Sequence, residues 1–130
     1  MIYEIENGTI KQQRIIDDAM TFVAPLLNIP DNVLVEIILM RCASSGCIDM
    51  EEDEDGIHSF LIEINNKQSL EEIVATVFHE IKHVQQTISK RLDQCKWDGV
   101  DHSNTPYMDR PWEIEAYGFE EETCCQWTNR

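Results

Sequence analysis

The chain has 130 residues, enough for one domain spanning 1–130 around one modest core, and 42% of them are hydrophobic, which argues against intrinsic disorder. Ten Lys and Arg against 25 Asp and Glu give a formal charge of −15, which repels phosphate backbones, speaks against direct nucleic-acid binding and favours basic partners. No apolar run reaches the roughly 18–20 residues of a membrane span and no basic-then-apolar leader opens the chain, so a cytoplasmic protein is expected.

In chain order, Ile15, Ala19, Phe22, Val23, Leu26 and Leu27 recur at helical spacing and predict a first helix from Thr9 to Leu27, with Pro25 placed to kink or stop it. Asn28 to Asn32, with Pro30, reads as a turn. Val33 to Met40 is a nearly continuous apolar run rich in Val and Ile, predicting a buried strand. After the turn Ala43-Ser44-Ser45-Gly46, a short second strand is expected over Cys47 to Glu51. Six acids fall among the seven residues Asp49 to Asp55. Glu51, Asp53, Asp55 and Gly56 imitate the start of a calcium loop, but its twelfth position is Ile62 rather than Glu, so a solvated hairpin tip with an Asp55-Gly56 turn is the better reading. His58, Phe60, Ile62 and Ile64 alternate with Ser59, Leu61 and Glu63 as a third strand.

Ser69-Leu70-Glu71-Glu72 reads as a capping box and starts a helix near Leu70. Leu70, Ile73, Val74, Val77, Ile81, Val84 and Ile88 make its apolar stripe. His79-Glu80-Ile81-Lys82-His83, an HExxH pentad, lies within it, and both histidines fall outside the stripe. Residues i and i+4 are about 40° apart round the axis and ~6 Å along it, so both imidazoles can reach one zinc ion. Glu80 is then placed to take a proton from metal-activated water. Residues 91–110 read as a long loop carrying Trp97, Gly99, His102, Pro106 and Tyr107, of which Tyr107 or His102 is a candidate hydrogen-bond donor to a developing oxyanion. Pro111 opens a last helix running to Trp127. Cys42, Cys47, Cys95, Cys124 and Cys125 form an odd set without a C-x-x-C pair. Reduced thiols, rather than a second metal site, are expected.

The pentad followed some 30 residues later by Glu before Ala on a second helix resembles the gluzincin branch of zinc metallopeptidases. It is most similar to compact zincin-like peptidases of bacteriophages and microbes, in which HE-x-x-H-x-x-Q precedes P-W-E-x-E-A. The matching residues are His79, Glu80, His83, Gln86, Pro111, Trp112, Glu113, Glu115 and Ala116. The resemblance implies zinc held by His79, His83 and Glu115, with Glu113 as competitor, because two residues apart on a helix point ~200° away from each other. It also implies an α+β zincin-like domain: N-terminal helix, three-stranded mixed sheet, pentad helix, and C-terminal helix bearing the third ligand. The strand before the pentad helix, Ser59 to Glu63, would be the edge along which a peptide extends. One departure is Phe119, at the position where gluzincins often place an acid that orients a histidine.

The expected activity is zinc-dependent hydrolysis of peptide bonds in a peptide or protein substrate, with Glu80 as general base. The alternative is a catalytically silent, zinc-stabilised acidic binding module, such as a host-takeover factor or nucleic-acid mimic. Oligomeric state is not readable from the sequence.

Overall fold

A computed structural model of the chain describes residues 1–52 and 58–130. It is an α+β arrangement: strand β1 (Ile2–Glu6), helix α1 (Ile10–Leu27), β2 (Leu34–Met40), β3 (Gly46–Glu52), β4 (His58–Asn65), α2 (Leu70–Ile88), three two-residue strands β5 (Leu92–Asp93), β6 (Lys96–Trp97) and β7 (Val100–Asp101), a 3-10 turn (Tyr107–Asp109), and α3 (Pro111–Thr128). The calcium-loop pattern and the Asp55-Gly56 turn fall on residues 53–57, outside the described residues.

The main sheet has four strands rather than the expected three, in the order β1-β2-β4-β3. β1 and β2 are parallel, as are β2 and β4, while β3 runs antiparallel to β4. The extra strand, β1, pairs Ile2 with Leu34 and Ile5 with Ile37. Tyr3 fixes it to α1 through a 2.5 Å hydrogen bond to Asp17 Oδ1. The turn from β1 into α1 passes through Gly8 at φ +77°, where an added Cβ would lie 2.3 Å from Leu39 Cδ1; only glycine fits there.

β2 is buried on one face, not both. Val35, Ile37 and Leu39 are buried, whereas Leu34, Glu36 and Met40 are exposed on the other side. The inward residues of β2 and β4 pack on Ile16, Met20 and Val23 of α1 and on Ile73, Val77, Phe78 and Ile81 of α2. A Thr9–Gln12 capping box starts α1, and Asn28, left-handed at φ 50°, ends it, so Pro25 sits inside the helix without stopping it. The Ser69–Glu72 box starts α2 as expected.

α2 is buried on two sides. Its apolar stripe meets the sheet and α1, and its opposite side, with His79, His83 and Gln86, lies beneath α3. The edge beside the site is β3, because β4 is interior; the expectation of Ser59 to Glu63 as the edge is therefore corrected. Residues 91–110 are not a structureless loop. β5, β6 and β7 form a small antiparallel sheet, whose second turn is Asp98-Gly99 with both residues at positive φ. No helix among the described residues is long and apolar enough to cross a membrane.

Candidate metal centre

The site is built where the N-terminal turn of α3 crosses the pentad turn of α2. Pro111 occupies the first helical turn of α3 and places Glu113 in it, where the helix dipole favours a carboxylate. Opposite, α2 presents His79 and His83 with ring centroids 4.9 Å apart and planes at 82°. Glu113 Oε1 is 2.9 Å from His79 Nε2 and 3.1 Å from His83 Nε2, and the two Nε2 atoms are 3.2 Å apart. All three residues are buried. Among the described residues they form the group of His, Cys or carboxylate side chains whose ligand atoms converge within 4.8 Å.

Glu115, the third ligand that the resemblance implies, is not a member of this group; Glu113, its competitor, is. Glu115 turns away, accepting from Arg91 at 3.0 and 2.6 Å and from Gln86 Nε2 at 3.2 Å. Lys82 Nζ lies 3.7 Å from it.

The donor set fits a divalent cation. Three ligand atoms about 3 Å apart have a point ~2.0–2.1 Å from each of them, about 1 Å off their plane, which is the distance range for zinc with nitrogen and carboxylate ligands. The outer face of each ring is also occupied. His83 Nδ1 meets Gln86 Oε1 at 2.8 Å. His79 Nδ1 lies 3.2 Å from Glu120 Oε1, close enough for charge attraction but without the alignment of a hydrogen bond. Glu120 and Tyr117, whose ring is 4.4 Å from that of His79, were not singled out in the sequence. Tyr117 and Glu120 stand four and seven residues on from Glu113, and that spacing was the available signal.

The three groups lean on one another. Burial opposes charge on His79, but Glu113 and Glu120 outweigh it and push its pKa up to about 9. Burial likewise opposes ionisation of Glu113, and its close contacts with His79 and His83 overcome it, holding the carboxyl down at about 2. Glu80, buried beside the triad, is shifted the other way: desolvation raises its pKa despite the neighbouring histidines. A carboxylate moved up towards neutrality is better matched to accepting and returning a proton.

Two cavities, of about 410 and 420 Å3, flank the triad. The first has His83 and Glu113 in its wall beside Phe60, Trp112 and Ile48; the second has His79, Glu80, Tyr107, Tyr117 and Glu120. β3 borders both. Of the two oxyanion candidates, Tyr107 faces the site, lining the second cavity beside His79, Glu80 and Tyr117, and desolvation with the neighbouring Tyr117 raises its pKa above the usual phenol value. His102 lines neither cavity; it bonds Thr105 at 3.1 Å and packs on Trp112.

Compared with protein-family models, curated proteins and solved structures, the chain has no significant match in any of the three.

Proposed function

We propose that this chain is a zincin-like, zinc-dependent hydrolase of peptide bonds. The observation that carries the reading is the convergence of His79, His83 and Glu113 with a buried acid, Glu80, adjacent on the same helix. Zinc held there would supply Lewis acidity to a substrate carbonyl and would acidify the attacking water. Glu80 accepts the proton of that water at its carboxylate and returns it to the leaving amine. Tyr107, kept protonated, donates to the oxygen on which negative charge develops. The net charge of −15 favours basic substrates.

The same charge also suits a binding module with a zinc-stabilised fold. A structural site has no need of a buried acid beside its ligands, and Glu80 therefore favours the hydrolase.

The test is metal content with turnover on a peptide library. Wild type is expected to bind one equivalent of zinc and to cleave, with cleavage abolished by a chelator. Glu80→Gln should keep zinc and lose at least 100-fold in turnover, about the contribution of a general base. Glu113→Gln and His83→Ala should lose both, whereas Glu115→Gln should still take up one equivalent. Zinc-dependent cleavage left intact in Glu80→Gln overturns the mechanism. Zinc bound without any cleavage leaves the binding module as the function.

A further inference from the structure

Gln86 is completely buried, one helical turn beyond His83, and its amide meets polar partners on both sides. Nε2 donates to the Trp112 carbonyl at 3.1 Å and to Glu115 Oε1 at 3.2 Å. Both partners on that side only accept, so the amide nitrogen must face them and the amide oxygen must face His83. Oε1 lies 2.8 Å from His83 Nδ1 and can only accept. A hydrogen bond to Gln86 needs the His83 proton on Nδ1, which leaves the lone pair on Nε2, the atom turned towards Glu113 and His79; Glu113 Oε1 is the rival acceptor for that proton, at 3.1 Å from Nε2 against 2.8 Å between Nδ1 and Gln86.

The orientation of that amide is itself secured. Glu115 is gripped by Arg91 through two hydrogen bonds, and the Arg91 guanidinium lies over the Trp97 ring at 4.3 Å. The two acids of the Glu113-x-Glu115 pair thus divide their work. Glu113 enters the triad directly, while Glu115 joins α3 to the Gln86 amide and to the small sheet.

We propose that Gln86 is a positioning residue which fixes His83 in the tautomer that presents Nε2 to a metal, and that the Glu115–Arg91 pair holds the Gln86 amide in the required sense. The proposal rests on the metal-centre reading for its purpose, but the tautomer can be measured without it. Partners that donate or accept at the far nitrogen of a ligating histidine typically change metal affinity by about 10–100-fold.

The primary experiment is nitrogen-15 NMR of the histidine rings in wild type, zinc-free at a pH where the titration shows His83 neutral, and again with zinc added. The expected signature is a proton on His83 Nδ1 in both states. A proton on Nε2 in the zinc-free protein overturns the proposal outright. Zinc affinity, measured by competition with a chromophoric chelator, is then compared across variants. Gln86→Leu is expected to mix the His83 tautomers, leave that of His79 unchanged, and weaken zinc by about 10–100-fold. Gln86→Glu keeps an acceptor at Nδ1 and is expected to retain the tautomer, which separates positioning from simple loss of packing. Arg91→Met should weaken zinc by a smaller factor than Gln86→Leu. Unchanged tautomer and affinity in Gln86→Leu would reject the role, and so would a mixed tautomer in folded Gln86→Glu. If wild type takes up no zinc, the hydrolase reading fails, while the tautomer in the metal-free protein still decides the role of Gln86.

Discussion

Glu113 and His79 hold each other charged, so the folding stability of chelator-treated protein acquires a defined pH window. Glu113 is lowered from 4.5 to about 2. Its contribution is complete above about 4.5, the unfolded value, and is lost as pH falls towards 2. His79 is raised from 6.5 to about 9, so its contribution is complete below about 6.5 and is lost as pH rises through 9. Chelator-treated protein should therefore be most stable between about 4.5 and 6.5 in urea denaturation across pH, and Glu113→Gln should flatten both limbs. Zinc should remove the alkaline loss, since a ligating imidazole no longer needs its proton. Metal-free stability equal at pH 6 and pH 9 would contradict the pairing. At this scale the sequence discloses His79, Glu80 and His83 because i and i+4 are neighbours on any helix. It does not decide between Glu113 and Glu115. On a helical projection of α3, the stripe of Trp112, Ala116, Phe119 and Thr123 has Glu113 about 90° to one side and Glu115 about 70° to the other. Which flank meets α2 depends on how the two helices cross, and no local pattern encodes that.

Between elements, the closest constraint on the site is the approach of β3 to α2 at Gly46. A Cβ added to Gly46 would meet Thr76 Cγ2 at 2.7 Å and the Glu63 carbonyl at 2.8 Å, with Glu80 Cγ 3.8 Å away. Thr76 is held by its hydrogen bond to the Glu72 carbonyl and the Glu63 carbonyl belongs to β4, so neither yields easily. Gly46→Ala should cost about 1–3 kcal/mol by overpacking, seen as a lower urea midpoint at unchanged slope. It should also reduce turnover through Glu80 while zinc stoichiometry stays at one, because it touches no member of the triad. Wild-type stability in Gly46→Ala would show that the edge strand is not seated as described. The helices and β4 were legible through capping boxes and periodicity, since local signals and burial agree there. β1 was not, because Ile2–Glu6 is short and only partly buried, and its pairing with β2 is a contact far along the chain. The small sheet between α2 and α3 did leave a local sign: Asp98-Gly99 between Lys96-Trp97 and Val100-Asp101 is a hairpin signature in a stretch otherwise poor in apolar residues.

For the molecule as a whole, 25 acids against 10 bases must be held within a radius of gyration of about 14 Å. At about 0.01 M ionic strength the screening length is ~30 Å and every carboxylate feels the others; at 0.15 M it is ~8 Å and only neighbours interact. Self-repulsion destabilises the compact state, so the thermal midpoint should rise as sodium chloride goes from 0.01 to 0.5 M. Most of the rise should come below 0.15 M, where screening changes most. Potassium chloride should act equally, because the effect is one of ionic strength rather than of a particular ion. Association with a basic peptide should move in the opposite direction, weakening over the same range, since the field that strains the fold is the one that attracts a cationic ligand. Calorimetry and peptide titration at matched salt check the two signs together. A midpoint indifferent to salt would mean that the acids are already neutralised by their surroundings, and the charge would then be no argument for a basic substrate.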